Sequence, residues 1–270
     1  MADLQFPVGT LVEHPKKPEW GPGKVVKATA ERLYIVWRDL PDREAKKLIP
    51  SVLVLAVEQQ DNFSRRFPQG FQDLAYIGTL TEGERHYKWV AHEYFIERLG
   101  NGKFRELLAE KPISLGDEVI ACIAKVNLLY TTEFLALKDA LKEEDAAQKY
   151  LATLADLLEA DLVSEEVFEP YAEAVCRLPA QRSRVATWPV TTVLPFLAKP
   201  QQHVLVKPEQ IKKVADALGF EINYRSEPNW RTYRSVIQMA EAYKEKLAPL
   251  APVDVIDVQS FFWVSCSGYE

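Results

Sequence analysis

The stretch from Val8 to Val54 constrains this chain most, because it breaks into short apolar and polar runs separated by turn residues. Gly9 precedes Thr10–Glu13, and Pro15, Pro18 and Gly21-Pro22-Gly23 then interrupt the chain before Lys24–Ala28. Arg32–Arg38 (Arg-Leu-Tyr-Ile-Val-Trp-Arg) is the clearest strand signal, rich in β-branched and aromatic residues. Ala30-Glu31 makes a tight turn ahead of it. Lys46–Ile49 and Val52–Val57 supply two more strands, with Pro50 at a bend or edge position between them. Five strands this short cannot bury two faces as a flat sheet, so the expected solution is a small closed barrel. Such a barrel is too small to house an ordinary active site, and it reads as a module that binds something.

Beyond it the period changes. Residues 61–81, with Arg65-Arg66, Pro68, Gly70 and Gly78, read as a linker with a docking turn near Phe67–Phe71. From residue 82 apolar positions recur at helical spacing: Tyr87, Val90, Ala91, Tyr94, Phe95 and Leu99 form one stripe, stopped by Gly100-Asn101-Gly102. Further helices are expected over 132–141, 145–160, 165–178, 209–218, 229–247 and 253–264. Another starts at Thr187-Trp188-Pro189, where a proline lacks no needed N–H, and Gly219 is the expected cap of the 209–218 helix. The fold class is therefore α+β: an N-terminal small β-barrel (1–60), a linker (61–81) and a larger all-helical domain of about eight helices (82–270).

The totals exclude several classes. At 47% hydrophobic residues a buried core is available, and a net charge of −6 argues against a general nucleic-acid coat. Cys122, Cys176 and Cys266 are odd in number and widely spaced, so neither a zinc ribbon nor a redox pair is indicated, and Cys122 and Cys176 read as core filler. No run approaches 18 apolar residues, and the N-terminus lacks a signal pattern, so the chain reads as soluble and cytoplasmic, with no membrane partner. There is no GxSxG, P-loop, GxGxxG or HExxH. No catalytic residue, metal or cofactor is assigned.

The elements Gly9, Val12-Glu13-His14-Pro15, Pro18-Glu19-Trp20-Gly21, Gly23-Lys24-Val25 and Val36-Trp37 resemble a small bacterial domain of unknown function. More distantly they are similar to the Tudor-like barrels of UvrD-type helicases and CarD-type transcription regulators. That resemblance implies a Tudor-like barrel holding a protein partner, in nucleic-acid or transcription machinery.

Within the barrel, period two on Arg32–Arg38 puts Tyr34 and Val36 on one face and Leu33, Ile35 and Trp37 on the other. One set must lie outside. Trp20, Tyr34 and Trp37 are the candidate partner-binding aromatics, with His14 as a polar anchor. The competing reading has Trp20 packed over the barrel end beside Pro18 and Pro22, with His14 capping a turn. Charge is segregated along the rest of the chain. Twelve acidic residues face three lysines between Glu133 and Glu173, whereas seven basic residues face four acidic ones between Lys199 and Arg234. In the latter segment Lys207, Lys212, Arg225, Trp230, Arg231 and Arg234 interleave cations with aromatics, a pattern suited to phosphate contact and base stacking. The alternative is structural: Ser226 or Asn229 caps a long helix, Trp230 and Tyr233 pack inward, and the arginines are solvated.

The leading expectation is a non-enzymatic, two-domain interaction protein whose barrel docks a protein partner. A nucleic-acid binder acting through 207–234 is the alternative. A third reading, an accessory defence-type factor of unmotifed activity, requires a helical pocket lined by polar groups such as His92, Asn127 and Arg184.

Overall fold

Burial alternates along β3 (Leu33–Trp37): Leu33, Ile35 and Trp37 are buried, while Tyr34 and Val36 are half exposed. A computed structural model describes residues 6, 8–29, 31–41, 44–55, 61–78, 83–110, 112–181, 183–217 and 219–266. Ala30 of the expected turn and the last residues of the expected Val52–Val57 strand lie outside these. The other strands are β1 (Leu11–Glu13), β2 (Gly23–Ala28), β4 (Lys46–Leu48) and β5 (Val54–Leu55). All pair antiparallel in the order β4-β3-β2-β1-β5. A flat sheet would hold β4 and β5 about 19 Å apart, at roughly 4.8 Å per strand. Only five residues, three of them in a 3-10 turn (Pro50–Val52), connect these two edges. The sheet must therefore curl, and it does so around Phe6, Val12, Val25, Leu33, Ile35, Trp37 and Leu53.

Gly23 is where this small core is tightest: a Cβ there would fall 2.5 Å from Ile35 Cγ2 and 2.6 Å from Trp37 Cε3. Gly23→Ala should cost about 1–3 kcal/mol through overpacking. The check is a urea melt followed by tryptophan fluorescence, and an unchanged midpoint would contradict the packing described.

Twelve α-helices are found among the described residues, ten of them within 82–270, where about eight were expected, and two before it. They are α1 (Asp61–Arg66), α2 (Leu74–Ile77), α3 (His86–Leu99), α4 (Lys103–Glu110), α5 (Pro112–Ile123), α6 (Thr131–Ala140), α7 (Glu144–Glu159), α8 (Glu165–Cys176), α9 (Trp188–Ala198), α10 (Pro208–Ala217), α11 (Trp230–Lys246) and α12 (Val255–Cys266). The chain is thus α+β with the larger part helical. Every residue of α9 is buried, so it is apolar all round and packs against α3, α5, α6 and α7. Pro195 lies inside α9 and cannot donate to the Thr191 carbonyl one turn earlier. The Tyr171 hydroxyl donates to that carbonyl instead, at 2.9 Å, so the buried acceptor keeps a partner. Cys122 is buried as expected, whereas Cys176, at the end of α8, is exposed and fills no core.

The stretch read as a linker behaves differently from a tether. Phe63, Phe67, Phe71 and Tyr76 are buried, with Phe63 touching the other three rings and Phe261 of α12 at centroid distances of 4.8–5.6 Å. Residues 61–78 are held in the helical core because this aromatic cluster has a partner near the other end of the sequence.

The sheet also touches the helical part. Leu11 belongs to the helical core, and the Lys24 ammonium lies 4.2 Å from the Phe220 ring centroid. Gly219 adopts φ +63°, where a Cβ would fall 2.6 Å from Leu11 Cδ2. The cap expected after α10 therefore also permits close approach of the sheet.

Candidate functional site

The basic segment combines exposed cations with aromatics that pack inward. Asn229 caps α11, its side chain accepting from Thr232 N at 3.0 Å. Trp230 is half buried, 6.0 Å from the Phe168 ring, and its backbone N–H donates to Glu169 Oε1 at 2.7 Å. Tyr233 is fully buried and stacks on Phe168 at 4.3 Å. Arg225, Arg231 and Arg234 are exposed, with Arg231 donating to Asn223 Oδ1 at 2.8 Å. Lys212 pairs with Glu209 at 2.6 Å and sits 5.2 Å from the Tyr224 ring. Trp230 and Tyr233 thus turn their rings to internal packing, as in the structural alternative, while the three arginines stay exposed.

Lys207 lines a cavity of about 760 Å³ among the helices. An adjoining recess of about 380 Å³ shares Asn127, Leu128, Lys207, Gln210 and Trp263 with it. The first turns of α6, α9 and α10 supply Thr131, Trp188 and Pro208 to the larger cavity, so three positive helix ends meet its wall. Its acids are already engaged. Glu133 accepts from Tyr130 N at 3.1 Å and from the Thr187 hydroxyl at 2.7 Å, and Glu209 holds Lys212. Lys207 has no salt bridge among the described residues. Burial lowers its pKa, and its ammonium lies 5.7 Å from the Trp263 ring centroid. Gln210 is 8% exposed and its Nε2 has no hydrogen-bond partner; Gln259, 5% exposed, has an unpartnered Oε1. On the recess wall Lys88 reaches Glu84 at 3.2 Å and the Ser260 hydroxyl at 2.9 Å. Two of the three polar groups expected for a helical pocket, Asn127 and Arg184, do line the larger cavity. His92 does not: its Nδ1–H donates to the Leu197 carbonyl at 2.7 Å.

On the sheet, His14, Trp20 and Trp37 come together, with ring centroids 5.5 Å apart for His14–Trp20 and 5.2 Å for Trp20–Trp37. Trp37 is fully buried, and therefore belongs to the sheet core rather than to an exposed docking face. Trp20 is half buried against that core, beside His14, whose Nδ1 accepts from Lys16 N at 3.2 Å in a turn. Tyr34 is placed differently. Strand register sets it opposite Lys27 on β2 and Lys47 on β4, and the two ammoniums lie 5.2 and 5.9 Å from its ring centroid. A half-exposed ring between two cations is the surface that these strands present outward.

That sheet is also where the chain matches something known. Residues 7–40 match the family model described as Protein of unknown function (DUF3553). The match spans β1 to β3 and carries His14, Trp20, Tyr34 and Trp37, while the helical part lies outside it. No curated protein and no solved structure matches the chain. None of the described helices is long and apolar enough to cross a membrane, and no cluster of potential metal ligands occurs among the described residues.

The sequence reading missed Gln210, Gln259 and Trp263. Lys207 stood out only as a cation near other cations. The signal available was local: Lys207-Pro208 places a charge immediately before a proline-started helix, where it flanks the helix N-terminus.

Proposed function

We propose that this chain is a two-domain interaction protein, non-enzymatic, whose sheet is a Tudor-like barrel docking an acidic segment of a protein partner. The observation that carries this reading is the Lys27–Tyr34–Lys47 ladder across three strands. A tyrosine offers low-entropy contact area, and flanking ammoniums draw carboxylates to it and raise encounter rates. The resemblance to barrels that hold partners in nucleic-acid and transcription machinery points to the same class.

The test is fluorescence polarisation with Asp/Glu-rich peptides at two salt concentrations. Tyr34→Ala and Lys47→Glu should each weaken binding about tenfold, on the order of 1.4 kcal/mol, with the fold intact by circular dichroism. Peptide binding that both variants leave unchanged would remove the sheet from the reading.

Direct nucleic-acid binding is the second reading, favoured by the exposure of Arg225, Arg231 and Arg234 around the start of α11. It expects salt-dependent binding of oligo-dT or RNA that falls on replacing these arginines with alanine. No binding at low salt would dismiss it.

A further inference from the structure

The helical cavity has the chemistry of a ligand site, and it lies outside the sheet surface just discussed. Three features converge there. The positive ends of α6, α9 and α10 meet one wall, which favours an anion. Lys207 stands at the junction of cavity and recess with no salt bridge among the described residues; the Glu133 charge acts on it, but the Glu133 oxygens accept from Tyr130 N and the Thr187 hydroxyl, and Glu209 holds Lys212. Gln210 lines the same junction, more than nine-tenths buried, and its amide nitrogen has neither a partner nor solvent contact. A buried donor without a partner is costly, so a turn of this side chain towards an acceptor supplied by a ligand would recover part of that cost. Leu128, Leu129, Pro189 and the half-buried indole of Trp263 give the wall an apolar stretch, and Asn127, Arg184, Lys213 and Ser226 line the rest. A volume of about 760 Å³ lies within the range of small-molecule sites.

We propose that this cavity binds a small amphipathic anion, a phosphate or carboxylate head on a flat apolar body. The head meets the Lys207 ammonium, and the Gln210 Nε2 once that side chain turns towards it, and the body lies along Trp263 and the leucines. Nothing in this assignment depends on what the sheet binds.

Isothermal titration calorimetry on the full chain tests it with four probes. These are 2-naphthyl phosphate, 2-naphthoate, inorganic phosphate as the head alone, and 2-naphthol as the ring alone. At least one ring-bearing anion should bind ten times more tightly than either fragment. Preference for the naphthyl phosphate assigns a phosphate head, and preference for naphthoate assigns a carboxylate. Lys207→Met and Gln210→Glu, each shown to be folded by circular dichroism and thermal melting, should weaken that binding at least tenfold, whereas Lys47→Glu on the sheet should leave it unchanged. Absence of binding by both ring-bearing anions at millimolar concentration would overturn the proposal. So would inorganic phosphate binding as tightly as they do, or affinity that survives both cavity substitutions.

Discussion

Arg85→Met should lower the unfolding free energy by about 3–5 kcal/mol, the cost of leaving buried charge without its partner. Arg85 donates two bonds to Asp254, at 2.7 and 2.9 Å, and one to Asp257 at 2.6 Å. Both aspartates are 1% exposed. The Tyr76 hydroxyl donates to Asp257 Oδ1 at 2.6 Å, and Val253 N donates to Asp257 Oδ2 at 2.6 Å. Burial first, and then the Asp257 charge, push the Tyr76 pKa well above its ordinary value, so this hydroxyl remains a donor. With the guanidinium gone, two carboxylates would face each other in a dry interior. Arg85→Lys should recover part of the loss, because an ammonium restores charge but cannot reproduce the forked geometry. Urea melts would show this as a fall in midpoint at constant slope. A loss below about 1 kcal/mol would mean that the cluster is more hydrated than its burial implies.

The second large effect depends on pH. His203 is fully buried, with Nδ1 3.0 Å from the Tyr233 hydroxyl and Nε2 unpartnered. Burial, reinforced by the Lys199 charge, lowers its pKa from 6.5 to about 3. The folded chain therefore keeps this imidazole neutral in a range where the unfolded chain protonates it. The stability that depends on the neutral ring is complete above pH 6.5 and is lost as pH falls towards 3. The slope from this one group approaches about 1.4 kcal/mol per pH unit. His203→Leu should flatten the stability profile across that window while leaving Tyr233 able to accept from Val204 N. Denaturant melts at pH 7, 5.5 and 4 make the comparison. Parallel profiles for the two proteins would show that His203 gains a proton without penalty.

How much of this was legible depended on whether a residue's partner lay nearby in sequence. Leu33, Ile35 and Trp37 alternate with Tyr34 and Val36, so strand β3 and its two faces follow from period two. What the alternation could not say was which face was buried, and Trp37 proved internal. Asn229 as a cap and Gly219 as a stop are local chemistry, and both are found. Phe67–Phe71 read as a docking turn, but Phe63 and Tyr76 were not singled out, because the cluster closes on Phe261, far along the chain. Asp254 and Asp257 were not singled out for the same reason, with Arg85 some 170 positions away. The cavity combines residues from Glu84 to Trp263, so no local window contained it. Lys207 was noticed for its charge, not for the cavity it lines.

Helix α10 begins at the cavity, with Lys207 and Pro208, and ends where Gly219 lets Leu11 of the sheet press against it. Its 10 residues make a strut of about 15 Å. Any occupant of one end that shifts this strut along its axis changes affinity at the other, and thermodynamic reciprocity makes the two changes equal in factor. A single rod of backbone hydrogen bonds therefore spans the distance from the cavity mouth to the point where Leu11 meets Gly219.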